Sequence, residues 1–100
     1  MTGTEKQIAF AADLLDNMNQ RFDELLSDCP DDKKPYWINV IKDYNTIMDQ
    51  SYAGDIIDLL KDIYEKDYYG YYVEMGIKVR RYTQNSLCKR IKKEIFEKYE

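Results

Sequence analysis

Ile8, Ala11, Leu15, Met18, Phe22 and Leu25 recur at alternating steps of three and four, so they share one face of a helix, and Phe10, Leu14 and Leu26 widen that stripe. Thr4 and Gln7 stand three apart just ahead of it, the spacing of a capping box in which a hydroxyl and an amide satisfy free backbone donors. A long amphipathic helix is predicted to start near Glu5. Residues 27–32 end it, because the residue before Pro30 is pushed out of helical geometry and the Ser and Asp side chains compete for backbone donors.

Pro35 suits a first helical position, and Trp37, Ile38, Ile41, Tyr44, Ile47 and Met48 repeat with helical spacing, which predicts a second helix to about Asp49. Ser51 and Gly54 mark a turn. Beyond it Ile56, Leu59, Leu60, Ile63 and Tyr64 form a third apolar stripe, with Asp55, Asp58, Asp62 and Glu65 as one acidic edge on the other side. Residues 67–83 fit two patterns. Tyr71, Val73, Met75, Ile77 and Val79 alternate as in a half-buried strand or hairpin, whereas Tyr68, Tyr72, Met75, Val79 and Tyr82 keep helical spacing. Helix is preferred, because the chain holds no second strand-like run to pair with; a strand would imply pairing across a homodimer. Asn85 or Ser86 can cap a closing helix that turns Leu87, Ile91, Ile95 and Phe96 inward and Lys89, Arg90, Lys92 and Lys93 outward. The expected fold is all-α, a single domain over residues 1–100 with four or five helices in a compact bundle.

A chain of 100 residues with 44% apolar and 34% charged residues suits one soluble folded core. Its apolar runs are far shorter than the roughly 20 residues that span a bilayer, and its start lacks the order of a secretion signal, so a cytoplasmic location without membrane contact is expected. Cys29 and Cys88 read as separate thiols. The chain has no histidine, which removes Ser-His-Asp and Cys-His catalysis and the commonest transition-metal ligand. Asp28, Asp31 and Asp32 lack the glycine and final glutamate of a calcium loop, and there is no phosphate-cradling glycine loop. No catalytic residue, metal or cofactor is expected, and the protein reads as a non-enzyme.

Charge is divided along the chain. Residues 1–70 carry seven basic side chains against fifteen acidic ones, and the last thirty carry eight basic against four acidic. Such a division points to a charged partner. Asp13, Asp16, Asp23 and Glu24 on the first helix, with Asp55, Asp58, Asp62 and Glu65 on the third, are candidates for rows of negative charge that imitate nucleic-acid phosphates. The alternative is that helices keep acids on their wet side, or that body and tail neutralise each other. Ten tyrosines add contact potential: Tyr36, Tyr44, Tyr64 and Tyr82 fall on apolar faces and are expected in the core, while Tyr68, Tyr69, Tyr71 and Tyr72 cannot all face inward and are candidates for a partner surface. Lys78, Arg80, Arg81, Lys89, Arg90, Lys92 and Lys93 offer the opposite possibility, a small DNA-binding regulator that neutralises phosphates, with Gln84 and Asn85 near base edges.

The opening Thr4, Lys6, Gln7, Ile8, Phe10 and Ala11 resembles the start of a group of small bacterial and phage proteins with a T-x-K-Q-I-x-aromatic-A run. The short, acidic, tyrosine-rich character is similar in type to anti-CRISPR inhibitors of host defence. That likeness implies a partner with a basic nucleic-acid channel, a Cas effector in particular, blocked by acidic contacts; it transfers no residue role.

Overall fold

The capping box forms as its spacing predicts. In the computed structural model, which describes residues 1–65 and 67–99, Thr4 Oγ1 accepts from the Gln7 amide at 3.1 Å and Gln7 Oε1 accepts from the Thr4 amide at 2.9 Å. Helix α1 then runs Glu5–Asp28, and its 24 residues make a rod of about 36 Å, close to the 40 Å long axis of the molecule. Helices α2, α3 and α4, described below, pack against this rod, and the last helix packs on those three.

Pro30 opens a 3-10 turn, Asp31–Lys33, that leads into α2, Lys34–Asp49, with Pro35 in its first turn. A tight link returns the chain into α3, Ala53–Leu60. The N-terminal segment is fastened to that link: the Thr2 amide donates to Ser51 O at 3.3 Å, the Ala53 amide to Thr2 O at 2.7 Å, and Gln7 Nε2 to the Tyr52 hydroxyl at 2.9 Å. Gly3 sits there with φ +138°, a backbone shape that a side chain would strain.

The ambiguous stretch 67–83 forms a helix over Tyr68–Arg81. Asp67 accepts from the Gly70 amide at 2.7 Å and starts α4, Tyr68–Arg81. Tyr71, Met75 and Val79 are buried and Tyr72 and Tyr82 half-buried, so the helical spacing prevails over the alternating one, and no strand occurs among the described residues. Asn85, rather than Ser86, caps α5, Ser86–Ile91, accepting from the Cys88 amide at 3.1 Å. The chain continues through a π-helical turn, Lys92–Phe96, into a last turn, Glu97–Tyr99.

The core is shared by all five helices: Met18 and Phe22 from α1, Met48 from α2, Ile56, Leu59 and Leu60 from α3, Tyr71, Met75 and Val79 from α4, and Leu87, Cys88 and Ile91 from α5 are almost fully buried. Phe22 sits at its centre, 4.5 Å from the Tyr72 ring and 5.4 Å from Tyr44. Asn19 and Asn45 cross-link α1 to α2 through reciprocal amide hydrogen bonds of 2.9 and 3.0 Å. The bundle is all-α, as the periodicity implies.

Several side chains depart from their expected places. Ile8, Phe10 and Ile38 lie on the stripes that periodicity defines but remain exposed, because the bundle covers only part of α1's first turns and the opposite flank of α2. Tyr36 and Tyr64 are exposed rather than core. Tyr64 is displaced because α3 stops at Leu60, so it follows an extended link instead of the helical stripe; the buried Ile63 anchors that link. The early stop also changes the acidic edge: Asp55 and Asp58 lie on α3, Asp62 lies in the turn after it, and Glu65 is in the link beside Gly70.

Candidate functional site

The loop from α4 to α5 is tied to the first turn of α3 because Asn85 binds in both directions. While its carbonyl oxygen caps α5, its amide donates to the Asp55 backbone oxygen at 3.3 Å. Between these segments lies a cleft of about 590 Å³ lined by Asp55, Asp58, Lys61, Asp62, Arg81, Tyr82, Thr83, Gln84 and Asn85. Three of the predicted carboxylates, Asp55, Asp58 and Asp62, therefore share one wall, and Arg81 faces the same cleft. No described lysine or arginine comes within ion-pair distance of those three.

The acids of α1 gather elsewhere. Asp23 and Glu24 line a separate shallow cleft with Ser27, Asp28, Asp67 and Tyr68. Glu24 is held by Arg21, and the Tyr68 hydroxyl donates to Asp28 at 3.0 Å, which pushes the phenol's pKa upward. Asp13 and Asp16 are exposed on the side of α1 away from the core and line neither cleft. The two predicted acidic rows thus form two patches, not one groove.

The tyrosine cluster divides by helical geometry. Tyr71 is buried, with its pKa pushed up to about 12 by desolvation. Tyr72 is half-buried against Phe22, and its hydroxyl donates to Met18 O at 3.2 Å. Tyr71 is thus in the core rather than on a partner surface. Tyr69 is 73% exposed and heads an apolar row with Val73 and Ile77 on the outer face of α4, and Tyr68 remains half-exposed at the α1 cleft.

The basic set is also divided. Lys78, expected to reach phosphates, is buried at 2% exposure, and desolvation depresses its pKa. Its place at the helical spacing of Tyr71 and Met75 turns it into the bundle. Arg80 lies over the Phe96 ring at 4.5 Å and donates to Gly76 O at 3.1 Å. Arg90 is engaged by Glu94 through two contacts of 2.6 and 3.1 Å. Lys89, Lys92, Lys93 and Arg81 remain on the surface. Lys98 is held by Asp43 at 2.9 Å, and the Tyr99 hydroxyl donates to the same carboxylate at 2.5 Å, so Asp43 is kept below the usual carboxylate range.

No family model, curated protein or solved structure matches the chain. No helix among the described residues is long and apolar enough to cross a membrane, and none of their His, Cys, Asp or Glu side chains gather in a group of three or more that could hold a metal ion.

Sequence reasoning missed a second cavity, about 240 Å³, at the junction of α2, α4 and the π turn, where Tyr36, Trp37, Tyr44, Tyr72, Phe96 and Tyr99 meet. The signal available was the aromatic load of α2 together with that of the last five residues. Their meeting depends on the π turn, which resets the helical phase in front of Tyr99 and has no sequence signature.

Proposed function

We propose that the protein is a non-enzymatic inhibitor from a phage or mobile element that binds a nucleic-acid-handling host protein, a Cas effector by preference, through the acidic wall Asp55, Asp58 and Asp62. The observation that carries this reading is that no described lysine or arginine lies within ion-pair distance of that wall. In a chain with a basic tail, carboxylates left without partners retain their attraction for an outside cation, and a basic channel built for phosphates supplies a row of them. Asp23 and Glu24, with the exposed Tyr69, supply secondary contacts. The regulator reading is weakened by the burial of Lys78 and the engagement of Arg90 by Glu94, which leave fewer cations for a phosphate backbone.

Target-DNA cleavage by a panel of purified Cas effectors tests the reading, with the native chain compared to a triple variant Asp55→Lys, Asp58→Lys, Asp62→Lys. Inhibition should disappear in the variant while its helical circular dichroism stays native. Inhibition should also weaken as ionic strength rises toward 0.15 M, where the screening length falls to about 8 Å. Equal inhibition by the folded variant would end this assignment, and tight duplex binding in a low-salt gel shift would transfer the function to the basic surface.

A further inference from the structure

Tyr69, Val73 and Ile77 repeat every four residues along the outer face of α4 and are 73%, 47% and 43% exposed. Residues four apart form one ridge on a helix, so the three make a continuous apolar line rather than scattered singles. Valine and isoleucine are weaker helix formers than alanine, lysine or glutamate, so helix formation does not account for them on a wet face. The next step of four along the same ridge is Arg81, which is exposed.

The chain in front of the helix supplies the opposite charge. Glu65 lies in the link before α4, and its side chain rests against Gly70, where an added Cβ would meet Glu65 Oε2 at 3.1 Å and Cγ at 3.4 Å. Gly70 follows Tyr69 in the first turn, so the ridge has a carboxylate beside its N-terminal end and a guanidinium at its C-terminal end. Arg81 also borders the acidic cleft, yet no described carboxylate lies within ion-pair distance of it, and no described lysine or arginine within that distance of Glu65.

Such a ridge is complementary to itself reversed. A two-fold axis through Val73 sets two copies of α4 antiparallel and exchanges Tyr69 with Ile77 and Glu65 with Arg81. Arg81 is long enough to reach back one turn to the level of Ile77, and the axis maps that level onto Tyr69 and Gly70, where Glu65 lies. A parallel pairing would instead oppose Glu65 to Glu65 and Arg81 to Arg81, so charge selects the antiparallel arrangement. We infer that a second copy of this chain docks on the outer face of α4 as an isologous antiparallel dimer, with Tyr69, Val73 and Ile77 at its centre and Glu65 and Arg81 at its rim. Three apolar side chains per copy make a small interface, so the pair should exchange with monomer at micromolar concentrations. Pairing covers Tyr69, so that ring meets a host protein only from the monomer.

Sedimentation velocity of the chain alone, from micromolar to millimolar concentration, tests this. The native chain should pass from monomer to dimer as concentration rises. Val73→Lys opposes two ammonium groups on the axis and should leave monomer throughout, with helical circular dichroism retained because the position is on the wet face. Glu65→Arg and Arg81→Glu should each weaken the dimer by about 5- to 30-fold, since each opposes like charges at both ends. Mixed in equal amounts, these two variants should associate with about native strength, because every end of the mixed pair joins an arginine to a glutamate. A native chain that stays monomeric to millimolar concentration, a dimer that persists in Val73→Lys, or a mixture that associates no better than its components would each overturn the inference. A chain that is monomeric alone but loses binding to a Cas effector on Val73→Lys would overturn it too and assign the face to that protein. The sedimentation readouts are independent of Cas inhibition.

Discussion

Replacing Lys78 with methionine should stabilise the protein. The lysine is 2% exposed, and its Nζ is buried without a hydrogen-bond partner among the described residues. An unsatisfied buried donor costs about 1–3 kcal/mol, and more when charged. Against this stand the Tyr82 ring, whose centroid lies 5.5 Å from Nζ, and the attraction of Asp62 and Glu74, the latter offset in part by Lys61. A cation near the outer limit of ring contact gains roughly 0.5–1 kcal/mol. Methionine keeps the aliphatic stem and the volume, so the net gain should be about 1–2 kcal/mol, a rise in Tm of roughly 4–16 °C for a domain of this size. The pH dependence gives a second readout. Because the folded pKa of Lys78 is depressed, the unfolded chain binds more protons between that value and 10.5, so this residue's penalty is full below the folded pKa and fades as pH rises toward 10.5. Tyr44, Tyr71 and Tyr72 act in the opposite sense, since burial raises their pKa values and their contribution is lost as pH climbs above 10. Thermal melts from pH 7 to 10 should therefore show the gap between variant and native chain narrowing. A methionine variant that melts lower, or a gap that does not change with pH, would refute the reasoning and show that the ammonium is well compensated.

Gly76→Ala should raise stability by about 0.5–1 kcal/mol, measured by urea denaturation, because the added methyl meets only the Arg80 tip. Phe22→Ala should cost about 3–5 kcal/mol in the same assay, since it removes the ring on which Tyr44 and Tyr72 pack. Asp67→Ala should cost about 1 kcal/mol by deleting the cap of α4. With a thiol-specific reagent at pH 8, half-buried Cys29 should react first, while Cys88, buried and with its pKa raised to about 11, should react only on the timescale of unfolding.

The fold was legible in the sequence wherever two local signals agreed. Thr4 and Gln7 announced a helix start that the Ile8 to Leu25 stripe then extended, and Pro30 marked the break. The ambiguity at residues 67–83 was settled by a signal of another kind, the cap at Asp67, which a period count does not weigh. The candidate site was less legible because it depends on where helices end. Asp55, Asp58, Asp62 and Glu65 keep helical spacing, but α3 has only 8 residues, so the ladder continued in sequence after the helix had ceased in space. Side-chain length hid the rest: Lys78 counted as a surface cation, yet the bundle encloses its stem and its ammonium together.

Those two failures have a common physical root that bears on function. A charge tally treats every ionisable side chain as free in water, whereas the bundle removes some charges from contact and leaves others exposed. On the tail, Lys78 is enclosed, Arg90 is taken up by Glu94 and Lys98 by Asp43, while on the body Asp55, Asp58 and Asp62 have no described basic partner within ion-pair distance. The field that a partner meets is therefore more unequal than the formal net charge of -4 suggests. Neutralising Glu94 to glutamine should release Arg90, which shares a cleft with Asp55, and lessen that inequality. If charge steering governs association, this single change should slow binding to a basic partner at low salt, by a factor that vanishes at high salt, and leave dissociation unchanged. A Glu94→Gln variant that instead dissociates faster would place Glu94 inside the contact, and the acidic wall would then be only part of the binding surface.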